Sequence, residues 1–211
     1  MVADQALRRD QAVRRAKVLN RLTVGWNVVE AVVAITAGVA AASIGLLAFG
    51  LDSVVEVSAA LVMTWRLAQE GRGRSTREAD RRALRGLAIA FFALAGYVTV
   101  DAGSDLLSGT EPGVSPVGIA LTGVSAVVMP LLARAKHQVA PVLGSRAQES
   151  EARQTDLCAW LSWFVLVGLV LNAALGWWWA DPAAALVVAA VAAREGVVAW
   201  RAEAFDDVCG D

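Results

Sequence analysis

Hydrophobic residues fall in six blocks along the chain, at 22–43, 44–65, 86–107, 117–133, 153–179 and 182–200. Each is close to the ~20 residues that a helix needs to cross hydrocarbon. The first two blocks meet at a very tight apolar turn. The stretch RLAQEGRGRSTREADRRALR at 66–85 is polar and rich in Gly and Arg, which predicts a loop. SGTEPGVSP at 108–116 carries two prolines and predicts a turn, and 134–153 reads as a polar linker. The sixth block is interrupted by Arg194 and Glu195. Residues 1–21 read as a solvated basic amphipathic helix, and 203–211 as a short tail. The pattern predicts an all-α integral membrane protein with six transmembrane helices.

Composition agrees. Of 211 residues, 57% are hydrophobic and only 18% charged, with mean hydropathy +0.53, which excludes an ordinary soluble domain. The distribution of charge adds orientation. The nineteen Lys and Arg fall as six before residue 22, seven in 66–85, four in 134–153 and two after Ala193. The segments 39–43, 108–116 and 177–182 contain none. Because basic residues are retained on the cytoplasmic side, six spans with both termini cytoplasmic satisfy the pattern and five do not. A plasma (inner) membrane location is expected. No cleavable signal peptide is expected, since the chain opens polar and Arg-rich. Two cysteines, Cys158 and Cys209, cannot build a disulfide framework. Basic residues confined to the gaps between spans argue against nucleic acid as a partner.

The informative residues are the polar ones inside the spans, since carboxylates in hydrocarbon usually face a bundle interior or a water-filled path. Asp52 and Glu56 lie one turn apart near the middle of the second block, on a face with Gly45, Phe49, Ala59 and Met63. Leu47, Val54, Leu61 and Val62 form the opposite, lipid-suited face. Thr23, Asn27 and Glu30 make a polar stripe on the first span. Glu30 and Asp52 each lie about 11 residues from the turn near Ala41, hence at similar depth, roughly 16 Å from it. Glu30 is then either a ligand or proton carrier, or a protonated structural group. In the third span Tyr97, Asp101 and Asp105 share a face, and Asp101 is deep enough to assist proton coupling. The fifth carries Gln154, Cys158, Ser162 and Asn172 opposite Leu157, Trp160, Phe164 and Leu171. Its thiol, facing acids on another helix, favours zinc or a similar transition metal over magnesium or calcium. His137, the only histidine, is expected in a loop and solvated.

Two segments together resemble the cation diffusion facilitator (cation efflux) family of six-span divalent metal exporters. ASIGLLAFGLDSVVEV is similar to that family's second helix, and QTDLCAWLSWFVLVGLVLNAALGWWWADP to its fifth helix and following turn. The resemblance implies a cation-efflux-type bundle, in a short form lacking the family's C-terminal cytoplasmic domain. It implies metal ligands at Asp52 and Glu56, and at Gln154 and Cys158, where His and Asp are usual. The family's preceding acid falls on Glu151. It also implies a homodimer. Counting from the helix ends nevertheless puts Cys158 roughly 27 Å from the outer end and Glu56 roughly 18 Å, which sets the two halves of the site at different depths.

The expected function is export of a divalent transition metal, zinc favoured, by proton-coupled alternating access. Asp52, Glu56, Gln154 and Cys158 are the metal ligands, and Glu30, Asn27, Asp101 and Glu151 are accessory or proton-coupling positions. Partners are the metal ion, protons, membrane lipid and a second copy. No catalytic cofactor and no enzymatic reaction are expected, as there is no nucleotide-binding loop and no nucleophile–base arrangement. The rival readings are a non-transporting membrane scaffold or partner-binding subunit of the same fold, and a passive channel.

Overall fold

A computed structural model describes residues 2–70, 77–143 and 146–208, with side chains described for 11–58, 60, 61, 85–142 and 152–201. It is all-helical. The six helices are α1 (Val2–Ala41), α2 (Ile44–Glu70), α3 (Arg77–Ser108), α4 (Pro116–Leu143), α5 (Arg146–Leu175) and α6 (Ala180–Val208). Among the described residues, five segments are long and apolar enough to cross a membrane: Gln11–Ala41, Arg85–Ser108, Pro116–Val142, Ala152–Leu175 and Ala180–Arg201. This is the architecture of a multi-pass membrane protein. The second block, 44–65, lies partly outside the described side chains.

Several sequence-derived boundaries are corrected. The basic helix expected at 1–21 runs from Val2 without a break into the first span, as one helix of 40 residues. The linker expected at 134–153 is helical at both ends, because α4 runs on to Leu143 and α5 begins at Arg146. The loop expected at 66–85 shrinks likewise, since α2 reaches Glu70 and α3 starts at Arg77; 71–76 lie outside the described residues. The fifth span ends at Leu175 rather than 179, because Gly176 takes a left-handed turn at φ 65°. Helix α6 begins at Ala180 and continues to Val208, through most of the expected tail. Apart from the Gly176 end of α5, the cause is that a helix leaving the apolar zone keeps its backbone bonds while its sequence turns polar.

The turns at one end of the bundle have identifiable chemistry. Helix α1 closes with Ser43 N–H bonded to Gly38 O at 2.9 Å and Ala42 N–H to Val39 O at 3.4 Å, the double bond of a Schellman ending. Ala42 accordingly has φ 49°. Ser43 Oγ then caps α2 by accepting Leu46 N–H at 3.1 Å, and Ser115 Oγ caps α4 by accepting Gly118 N–H at 3.1 Å. Trp177 and Trp179 stack with centroids 5.4 Å apart beyond the end of α5, both half-exposed as an interfacial belt requires.

Helix α2 is the centre of the bundle, packing against α1, α3, α5 and α6. Its contact with α1 is tight because a Cβ on Gly50 meets Ile35 N at 2.9 Å, and one on Gly38 meets Leu47 N at 2.8 Å. Small residues of this kind let membrane helices approach closely. Leu46, Phe49, Val98, Val165 and Val188 fill the core. The outside is apolar, with Val39, Leu61, Val100, Leu107 and Trp160 all exposed, the reverse of a water-soluble surface. On α2, Phe49, Asp52 and Glu56 are buried and Val54 and Leu61 exposed as expected, but Leu47, expected on the lipid face, is half-buried and packs against the core. Ala59, Val62 and Met63 lie outside the described side chains.

Candidate metal centre

Ligand atoms of Asp52, Glu56 and Cys158 lie within 4.8 Å of one another, and all three residues are buried. Asp52 and Glu56 come from successive turns of α2, and Cys158 from the facing stripe of α5. Around Glu56 the hydrogen bonds converge. Its Oε2 accepts from Asn27 Nδ2 at 2.8 Å and from the Cys158 thiol at 2.6 Å, while Oε1 accepts from Gln154 Nε2 at 3.2 Å. Three helices, α1, α2 and α5, are thus tied at one carboxylate. Asp52 is only 4% exposed, and no hydrogen bond reaches its carboxylate among the described residues. It does lie in the field of Glu56, Glu30 and Glu195. Two carboxylates and one sulfur form a donor set suited to borderline ions such as zinc.

The apparent mismatch in depth between Cys158 and Glu56 is removed by α6. Its first residues touch both α2 and α5: a Cβ on Gly45 meets Asp181 Oδ1 at 2.9 Å, and one on Gly168 meets Ala180 O at 2.9 Å. Gly45 and Gly168 are therefore level. Glu56 comes eleven residues after the first, and Cys158 ten before the second, which brings them to one height. Helix α5 overhangs α2, so counting from helix ends misleads. Asp181 also holds this register, accepting Ser43 Oγ at 2.6 Å and Gly45 N–H at 3.2 Å.

Glu30 lies at the depth expected of it but makes its own connections. Its carboxylate accepts Ser53 Oγ at 3.1 Å and Ser125 Oγ, and Ser125 Oγ accepts Trp26 Nε1 at 3.2 Å. This network joins α1, α2 and α4. Asn27 is at the centre itself, 3% exposed, and its Oδ1 is buried with no hydrogen-bond partner among the described residues. Asp101 lies elsewhere, accepting the Tyr97 hydroxyl at 3.5 Å on an exposed part of α3. Glu151 belongs to α5, but its side chain is outside the described residues.

Sequence reasoning passed over Ser53, Ser125, Thr155 and Lys136. Lys136 is 5% exposed, donates to Thr155 Oγ1 at 3.0 Å, and lies in the field of Glu56. A lysine in an apparent linker carries no signal of burial. His137 is corrected too: it is on α4, not in a loop, and bonds Asp156 Oδ2 at 2.6 Å on the exposed side. Asn172 of the α5 stripe is structural, donating to Pro112 O at 3.0 Å. No family model matches the chain, and no curated protein matches it.

Proposed function

We propose that this protein exports a divalent transition-metal ion, zinc favoured, by proton-coupled alternating access. The observation that carries this reading is the convergence of Asp52, Glu56 and Cys158 within 4.8 Å in the buried centre of an apolar bundle. Acids so placed need a compensating charge, and Asp52 has no described donor to supply one. The proposal includes six spans with both termini cytoplasmic, a plasma (inner) membrane location and a homodimer. It treats the chain as a cation diffusion facilitator. The charge pattern supports the six spans and their orientation, and the two segments that resemble the family support the kinship and the homodimer.

Metal ligands bind deprotonated. A cation entering from the cytoplasmic side between Asp52, Glu56 and Cys158 displaces the thiol hydrogen now directed at Glu56 Oε2, and that proton leaves to the cytoplasm. Outward release of the metal lets a proton return to the same group. Glu30, in contact with Ser53 one residue beyond Asp52, is the accessory carboxylate beside this exchange. Gln154 acts in this arrangement through its N–H donor, holding Glu56 in place.

One observation favours a scaffold instead: Glu56 already has three donors, as a purely structural polar cluster would. Zinc uptake into proteoliposomes under an imposed pH gradient separates the readings. Gradient-dependent flux is expected for the wild type, falling about 10-fold or more in Asp52→Asn and Glu56→Gln. Equal flux in all three proteins removes the site assignment. No gradient-dependent flux at all favours the scaffold, and flux without proton counter-movement a channel.

A further inference from the structure

Glu56 is approached by two amides, and they differ. Gln154 is half-buried, and neither of its amide atoms is left buried without a partner. Asn27, from α1, is 3% exposed, and Oδ1 is the buried side-chain oxygen lacking any partner among the described residues. Its Nδ2 is 2.8 Å from Glu56 Oε2, the same oxygen that lies 2.6 Å from Cys158 Sγ. The amide tip is therefore at the centre, not beside it. A carbonyl oxygen shut away from water without a donor is costly to bury. As a bare donor to Glu56, Asn27 leaves Oδ1 uncompensated, whereas coordination gives that oxygen a positive charge to face, in exchange for N–H groups that take its unpartnered place.

The geometry points to Asn27 Oδ1 as a fourth ligand, delivered by α1 to the cation held by Asp52, Glu56 and Cys158. This rests on the metal-export reading and deepens it by defining the donor set as three oxygens and one sulfur. A half-turn of the amide puts Oδ1 where Nδ2 stands, 2.8 Å from Glu56 Oε2. Two oxygens repel at that spacing unless a cation lies between them. Ligand atoms on tetrahedral zinc are separated by about 3.4 Å, given bonds near 2.1 Å, so a small relaxation suffices. Such a set suits Zn²⁺ and Co²⁺. It has too few oxygens for Ca²⁺ and too little sulfur for Cu⁺.

The test uses the full chain, purified in detergent and loaded with Co²⁺ or Zn²⁺ alone. The wild type is expected to show a thiolate-to-cobalt charge-transfer band and, by X-ray absorption on zinc, one sulfur with three oxygens. Asn27→Leu is expected to keep the sulfur band, lose one oxygen from the shell and bind Zn²⁺ about 10-fold more weakly. Asn27→Asp restores an oxygen in the same place and is expected to bind about 10-fold more tightly than wild type. Unchanged affinity and shell in Asn27→Leu overturn the inference while leaving metal binding by the other three residues intact. Absence of any thiolate band in the wild type overturns the metal reading itself. Should the leucine variant not fold, Asn27→Ala is measured in the same way: loss of one oxygen from the zinc shell supports the inference, and an unchanged shell with unchanged affinity overturns it.

Discussion

Glu56 and Asp52 lie one turn apart on α2 and have opposite surroundings. Glu56 accepts three hydrogen bonds, whereas Asp52 accepts none among the described residues. The first carboxylate is held in place by its neighbours, and the second is left to meet whatever cation enters. Cys158 decides the chemical character of that cation. In Cys158→Ser the hydroxyl can still reach Glu56, so the fold is expected to persist. The charge-transfer band of the Co²⁺-loaded protein disappears, and preference for zinc over manganese drops by about 10-fold in competition binding. A variant that keeps both the band and the preference excludes this thiol from the metal. Both acids and the thiol were legible as polar residues at helical spacing within apolar runs. Lys136 and Thr155 were not, because their surrounding segment is polar and burial there comes from α4 lying against α5.

At the scale of elements, the α1–α2 hairpin positions half of the centre, and its geometry depends on small residues. A Cβ on Gly50 comes within 2.9 Å of the α1 backbone, so Gly50→Leu forces the two helices apart. A loss of about 1–3 kcal/mol is expected in unfolding from detergent, with weaker metal binding, as Asn27 is carried away from Glu56. The turn itself holds Ala42 at φ 49°, a conformation costing a residue with Cβ about 1–2 kcal/mol. Ala42→Gly is therefore expected to stabilise the protein by about 1 kcal/mol. A lower unfolding temperature in that variant contradicts this account of the turn. The second device is Asp181, which carries the register between α2 and α6 through Ser43 and Gly45. Its role was hidden in the sequence, where it belongs to a turn more than a hundred residues away from both.

For the whole molecule, orientation is the property that transport requires and that charge distribution alone addresses. With Cys158 and Cys209 changed to serine, single cysteines report sidedness to a membrane-impermeant maleimide. Thr110→Cys is expected to react in intact cells. Arg15→Cys, Gln138→Cys and Arg201→Cys are expected to react only after permeabilisation. External labelling of Arg201→Cys, with Gln138→Cys still protected, means that α6 does not cross and that five spans replace six.

Apolar runs and the gaps between them are properties of consecutive residues, so the number of helices, their hydrophobic faces and the chemically unusual side chains were readable along the chain. Helix ends were read less well: where α4 and α5 leave the apolar zone their residues become polar while the backbone stays helical, and composition cannot distinguish such a helix from a linker. The arrival of Asn27 beside the expected Gln154 and Cys158 at Glu56, and the equal heights of Gly45 and Gly168, arise from lateral contact between helices distant in sequence. That information resides in how side chains of different helices fill shared space, and no local pattern along one strand of sequence contains it.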